Sequence, residues 1–145
     1  MIEPVALVRE WLAADEGVAE LVDGRVSSSF EPGDAMPQLV IYGATGGPVR
    51  AAQGGSRLTA WTVTLWAIAG RLGDGDDDRP DTQAAWELAA AVSAACDAIP
   101  TAPFTTEGGA VIVEAAVVTA TRAVEPDTRW GRATVTLALR AIAPA

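Results

Sequence analysis

The stretch of residues 56–99 constrains the fold most strongly, because it joins a strand pattern directly to a helix pattern. Residues 57–69, Arg-Leu-Thr-Ala-Trp-Thr-Val-Thr-Leu-Trp-Ala-Ile-Ala, are rich in the β-branched and aromatic residues that suit a pleated surface. After an acidic loop at residues 70–80, apolar residues recur at helical spacing: Ala85, Leu88, Val92, Ala95 or Cys96, and Ile99. A strand followed by a helix with one apolar side predicts a helix that lies on a sheet.

The rest of the chain predicts two N-terminal helices and further strands. Pro4 suits the first turn of a helix, and Asp15 can cap a second short helix over residues 16–22. Strand patterns occupy residues 25–30, 37–42, 110–122 and 130–142, and the last one alternates apolar and polar residues. We predict a single α+β domain over residues 1–145, with a mostly antiparallel sheet of four to five strands, an N-terminal helix pair and one long helix packed on one face.

Residues 43–55, Gly-Ala-Thr-Gly-Gly-Pro-Val-Arg-Ala-Ala-Gln-Gly-Gly, are too rich in glycine to predict a core element. We expect a flexible hairpin connection here, and the alternative is a loop that becomes ordered only against a partner. A phosphate-binding loop is excluded, because the segment has no Gly-x-x-x-x-Gly-Lys pattern and the chain has no lysine.

Residue types that several catalytic sites require are missing. The chain has no histidine, and all of its basic residues are arginine, which excludes Ser-His-Asp and Ser-Lys arrangements. The one cysteine, Cys96, lies on the apolar side of the predicted helix and is expected to be a small buried hydrophobe. We therefore predict no enzymatic activity, no catalytic residues, no cofactor and no metal site.

The acidic loop superficially resembles a calcium-binding loop. Aspartates alternate over residues 74–78, but Arg79 stands where the glycine is required and Ala85 where the bidentate glutamate belongs. We predict instead that Asp81 caps the helix and that residues 76–78 complement its positive end.

The net charge of −9 and the pI of about 4.3 exclude binding of duplex nucleic acid through clustered basic residues. The longest apolar runs are short and interrupted, so no membrane-spanning helix is predicted. The N-terminus lacks the pattern of a secretory signal, and we expect the chain to fold in a cytoplasm.

Four of the five tryptophans lie on the predicted strands or on the long predicted helix. Trp61 and Trp66 are separated by an odd number of residues and should point to opposite faces of one strand. Core packing is expected for Trp61 and Trp86, whereas Trp66 or Trp130 should lie on the far side of the sheet. A large aromatic residue on that side indicates a covering partner.

The order of these elements resembles that of siphophage tail terminator proteins, also called tail completion or minor tail proteins. Residues 15–26 match the family's Asp-x-x-Val-x-x-Leu-Val-x-Gly-Arg-Val segment, and residues 37–41 match its Pro-x-x-Val-Ile strand. Residues 63–67, Val-Thr-Leu-Trp-Ala, resemble its Val-x-Leu-x-Val-Trp strand with the tryptophan displaced. Residues 81–99 and 111–142 correspond to its long helix and last two strands, so the resemblance spans nearly the whole chain.

The resemblance implies a structural virion protein of a bacteriophage, with no active site and no cofactor. Such proteins form a ring, commonly a homohexamer, at the head-proximal end of the tail tube, where they stop tube polymerisation and serve head-tail joining. The implied partners are other copies of the chain, the major tail protein and a head-side connector protein. DNA passes through without specific binding, and no membrane is involved. The implied location is the neck region of the virion tail, with the host cytoplasm during assembly.

Two alternatives remain. One is another head-tail connector, a stopper or adaptor, which would sit one layer higher. The other is a small-molecule-binding α+β cone, which would favour a polar dyad in its cavity, where this chain offers only threonines. The residues that we expect at interfaces are Val49, Arg50, Trp66, Asp76, Asp77, Asp78, Arg129, Trp130 and Arg132.

Overall fold

The computed structural model describes residues 2–30, 35–49, 57–70, 81–122 and 130–144. Its elements follow in the order α1 (Pro4–Ala14), α2 (Glu16–Val22), β1 (Val26–Ser27), β2 (Gln38–Pro48), β3 (Leu58–Ala69), α3 (Thr82–Ala98), β4 (Phe104–Thr105), β5 (Val111–Arg122) and β6 (Gly131–Ile142). The strands form one sheet in the order β1-β2-β3-β6-β5-β4, in which only β1 and β2 are parallel.

The predicted α+β class is confirmed, with one difference in the sheet. Within the described residues it has six strands rather than four to five, because β4 adds a two-residue strand that is too short to show a sequence period. The first strand is also shorter than expected, since only Val26–Ser27 of residues 25–30 pair with β2.

The N-terminal helices begin at side chains that accept hydrogen bonds from their first turns. The Glu3 carboxylate accepts from the backbone N–H groups of Val5 (3.2 Å) and Ala6 (2.6 Å). The predicted cap at Asp15 is confirmed, because its Oδ2 accepts from the N–H of Val18 at 3.0 Å. Asp23 then ends α2 in the left-handed conformation, with φ of 48°.

The long helix lies on the sheet as predicted. Asp81 caps α3 by accepting a hydrogen bond from the N–H of Ala84 at 3.0 Å. Its buried side consists of Ala85, Leu88, Ala89, Val92, Ala95 and Cys96. These side chains face the buried residues of the central strands, among them Leu65 of β3 and Leu137 of β6, and form the core with them.

The first residue of β6 lies directly beneath the start of α3. A Cβ atom added to Gly131 would overlap the carbonyl group of Asp81. Because only glycine leaves room for this approach, the helix can begin close against the sheet.

The two faces of the sheet differ in their covering. Along β6, Ala133, Val135, Leu137 and Leu139 are buried beneath the helices, as the alternation predicts. The opposite side, which we call the open face, carries the alternate residues of β3 and β6. It consists mainly of Thr62, Thr64, Trp66, Arg132, Thr134, Thr136, Ala138 and Arg140.

The expected flexible connection was wrong for residues 43–48. They continue β2 and pair with β3 from Gly43 opposite Thr64 to Pro48 opposite Thr59. Gly46 has φ of 143°, and a Cβ there would overlap the backbone oxygen of Ala60. The glycine therefore serves a close approach of two strands. Residues 50–56 lie outside the described part of the chain.

The buried position of Cys96 is confirmed. Burial raises the pKa of its thiol to about 12, and the nearby carboxylates of Asp97 and Asp15 act in the same direction. The neutral thiol is thus the form present at physiological pH, as expected for a packed hydrophobe. Among the described residues, none of the helices has the length and apolarity that a membrane span requires.

Candidate assembly surface

An aromatic pair lies on the open face, on which none of the three described helices packs. The rings of Tyr42 and Trp66 are stacked, with centroids 4.6 Å apart and planes at 24°. The guanidinium carbon of Arg132 lies 5.0 Å from the centroid of the Trp66 ring. We call Tyr42, Trp66 and Arg132 the aromatic cluster.

Local strand geometry brings the aromatic cluster together. Trp66 is paired with Val40 of β2 on one side and Thr134 of β6 on the other. The register of β2 shifts between Ile41 and Gly43, so that Tyr42 is the extra residue of a β-bulge and its side chain is 65% exposed. Sequence reasoning missed Tyr42, because a bulge depends on the register of the partner strand.

Trp130 has a different environment from Trp66. It is half-buried, and its ring packs edge-to-face on Phe30 of the same chain, with centroids 5.2 Å apart and an interplanar angle of 74°. This contact ties the segment before β6 to the segment after β1.

The structure brings together two of the expected interface residues, Trp66 and Arg132. Val49 is half-buried at the end of β2, where its N–H donates to the carbonyl oxygen of Leu58 at 2.8 Å. The remaining expected positions, Arg50, Asp76, Asp77, Asp78 and Arg129, lie outside the described residues.

The described residues in the middle of the open face are uncharged. Rows of residues cross the sheet there, for example Gly43, Thr64, Thr136 and Thr119 on four neighbouring strands. Towards one end of these strands an exposed ion pair joins Arg140 to Glu114, with Nε and Oε2 3.4 Å apart. An exposed pair of this kind contributes little to folding stability.

A shallow groove of about 330 Å³ runs between α3 and the outer side of β5. We call it the helix–edge groove. Its lining consists of Trp86, Ala89, Ala90, Ser93, Ala94, Asp97, Val117 and Ala120. At one end the guanidinium of Arg122 lies 4.8 Å from the centroid of Trp86. The short alanine side chains leave this strand incompletely covered by the helix.

A larger cavity, of about 640 Å³, opens beyond the C-terminal end of α3 between Pro100, Trp61 and Leu139. The Trp61 indole N–H donates to the hydroxyl of Thr59, which donates in turn to the carbonyl oxygen of Ala141. The charged residues of its lining, Glu114 and Arg140, are paired with each other. No group of residues able to hold a metal ion occurs within the described ranges.

The whole arrangement matches a known family. The family model for tail completion protein gp17 matches residues 6–141, from α1 to the end of β6. The chain belongs to the tail completion protein gp17 family. The resemblance to phage tail completion proteins is thereby confirmed, and the chain is a structural protein of a phage-like tail.

Structural comparison finds a chain with the same fold in a virus-like particle. A chain in the virion of a native gene transfer agent particle has a TM-score of 0.67 and 19% sequence identity, with 95% of this chain and 93% of that chain covered. At this identity the likeness shows that the two chains share a fold. Comparison with curated proteins gave no match.

Proposed function

We propose that the chain forms a ring at the head-proximal end of a tail tube, stops polymerisation of the major tail protein and offers a surface to the head-side connector. Membership of the tail completion family over residues 6–141 is the observation that carries the proposal. The shared fold with a chain of a gene transfer agent virion supports a place in the assembled particle. The proposed role is structural and non-enzymatic.

The aromatic cluster is the surface that fits a partner in such an assembly. Aromatic residues and arginine are enriched at the centres of protein interfaces, where they supply large contact areas. The stack of Tyr42 on Trp66 holds both rings in place before binding, which lowers the entropy lost on association. We assign this cluster to a contact with another protein of the tail.

The negative net charge of the chain suits a ring through which DNA moves. A wall with clustered arginines would hold phosphates, whereas a negative or neutral wall lets the duplex slide. With a net charge of −9, a ring of such chains should let DNA pass through without specific binding. A cryo-EM map of the ring with a basic channel would contradict this part of the proposal.

Electron microscopy of the purified protein with and without tubes of its own major tail protein tests the proposal. Rings, or tubes capped at one end that no longer lengthen when major tail protein is added, are the expected result. Protein that stays monomeric and leaves tube growth unchanged would overturn it.

Adding the isolated head-side connector to the same experiment distinguishes the terminator from its nearest alternative. A stopper or adaptor should bind the isolated head-side connector and leave tube growth unchanged. A terminator should bind the tube end first, and the capped tube should then bind the connector.

A further inference from the structure

Both sides of the sheet end in strands that are partly unpaired within the described part of the chain. β4 pairs only with Val111 and Ile112, so residues 113–122 of β5 have a strand, β6, on one side only. β1 pairs only with Leu39 and Val40, so residues 41–48 of β2 have β3 alone beside them. Such edges present backbone N–H and C=O groups that another strand can bind.

The two free segments lie at the same height in the sheet. The registers place Thr45, Thr62, Ala138 and Ala116 in one row across β2, β3, β6 and β5. Because each of these neighbouring pairs is antiparallel, β2 and β5 also run in opposite directions. A second copy moved sideways along the sheet would therefore bring its β2 antiparallel to β5, with the rows aligned.

The flanking short strands leave room for this neighbour. β4 covers the first two residues of β5, whereas β1 covers Leu39 and Val40 at the opposite end of the sheet. When β2 of one copy lies beside β5 of another with the rows aligned, β4 occupies the position beside Ile112 and β1 the position beside Val40. The pairing is therefore confined to the rows between these two short strands, from Glu114 to Ala120 on β5.

The middle of each free segment lacks the charges that usually protect an edge, and the two charged residues of the β5 segment, Glu114 and Arg122, lie near its ends. Residues 115–121, Ala-Ala-Val-Val-Thr-Ala-Thr, and residues 41–48, Ile-Tyr-Gly-Ala-Thr-Gly-Gly-Pro, contain no charged side chain in a chain that is 20% charged. Val118 is 60% exposed on the β5 edge. For two copies that each carry a net charge of −9, these edges are surfaces where like charges do not meet.

The helix–edge groove supplies a site for the inward side chains of an added strand. A strand beside β5 would extend the sheet under the outer side of α3, next to Val117 and Ala120. In the free segment of β2, the residues beyond Ile41 on this face are Ala44 and Gly46, which pair with Val63 and Trp61. Their small size fits a shallow groove.

We propose that the free edge of β5 in one copy pairs antiparallel with the free edge of β2 in the next, so that the sheet continues from subunit to subunit. The inference rests on the proposed ring, because a contact between two different surfaces of one chain generates a cyclic assembly when its rotation closes. The partner of this surface is a second copy of the chain.

Cysteine cross-linking in assembled rings tests the pairing. Two chains with different tags, one with Thr45→Cys and the other with Ala116→Cys, are produced together with the other tail proteins and oxidised. Both positions lie on the open face, so aligned strands bring their Cβ atoms within disulfide reach. Thr119→Cys replaces Ala116→Cys to detect a register shifted by one cross-strand pair. Cys96 is buried and should not compete.

We expect disulfides between the differently tagged chains for one of these two pairs. Ala116→Cys chains that cross-link mainly to each other would indicate a two-fold contact of β5 with β5 and would overturn the inference. Rings seen by electron microscopy without either cross-link would overturn it too, while leaving the proposed function intact. Absence of rings and of capped tubes would overturn the proposed function, and the inference with it.

A charge placed on the edge provides an independent readout. Val118→Lys should lower the fraction of protein in rings at least ~10-fold, since a charge buried without a partner costs more than one factor of ten in affinity. Ala13→Lys, on the exposed side of α1, adds the same charge away from the edges and should assemble normally. Both variants should unfold at the temperature of the unmodified protein. Equal loss of rings in the two would contradict the proposal.

Discussion

At the level of single residues, the glycines show best what sequence reasoning can and cannot reach. A segment with repeated glycines is compatible with a loop, and also with strands that approach too closely for a side chain. Gly46 and Gly131 belong to the second kind, because a Cβ atom added at either position would overlap the backbone of a neighbouring element. Their neighbours, Ala60 and Asp81, are distant in sequence, so no local pattern identifies the contact.

Gly131→Ala should destabilise the fold by about 1–3 kcal/mol, because the new methyl group must push the start of α3 away from the sheet. Chemical denaturation followed by circular dichroism measures the change. Gly43→Ala is the matched control, since a Cβ at Gly43 meets no atom within 4 Å. Its free energy of unfolding should change by less than about 0.5 kcal/mol. Equal effects of the two substitutions would show that the space above Gly131 is not limiting.

At the level of elements, the sequence predicts those whose pattern is local. The caps at Asp15 and Asp81, the apolar side of α3 and the alternation along β6 all appear as expected. The two-residue β4 and the extension of β2 were not predicted, because they depend on pairing with distant strands. The bulges of β2 and β5 escape prediction for the same reason, and with them the position of Tyr42.

Tyr42→Ala should weaken assembly far more than folding. The side chain is 65% exposed and its stack on Trp66 is worth about 1 kcal/mol, so the free monomer should lose no more than that. Loss of the Tyr42 side chain from the centre of the proposed interface should reduce the number of capped tubes at least ~10-fold. Thermal unfolding of the monomer and counting of capped tubes by electron microscopy measure the two effects.

Trp130→Ala is the informative comparison for Tyr42→Ala. Its ring packs on Phe30 of the same chain, so the monomer should be destabilised as well. Assembly that weakens more than folding would place Trp130 at a subunit contact, as the sequence predicts. Equal loss of both would make it a residue of the fold only.

At the level of the whole molecule, the order of elements indicates the family before any contact is known. Helix pair, strand, strand, long helix and two final strands suffice for the resemblance, and the family match over residues 6–141 confirms it. The candidate site is less accessible to sequence reasoning. Trp66 and Arg132 were anticipated separately, but their contact and the two free edges follow only from the strand order.

The charge of the whole chain predicts how assembly responds to salt. In the proposed pairing, each contact brings together two molecules of net charge −9 through edges whose middle residues are uncharged. Screening should therefore favour assembly, because the Debye length falls from about 10 Å at 0.1 M to about 3 Å at 1 M salt. Sedimentation velocity in a series of NaCl concentrations should show the assembled fraction rising. A fraction that falls with salt would point to ion pairs at the interface.

The bulges of β5 have a consequence for the shape of the assembly. Register shifts between Ile112 and Glu114 and between Val117 and Thr119 bend the strand that, in the proposed pairing, faces the next copy. The bend contributes to the angle at which that copy is added, and the angle decides between a closed circle and an open filament. One extra residue in an edge strand can thus determine how many copies close the ring. Val118 is the extra residue between Val117 and Thr119, and its deletion should give polymers without a defined length.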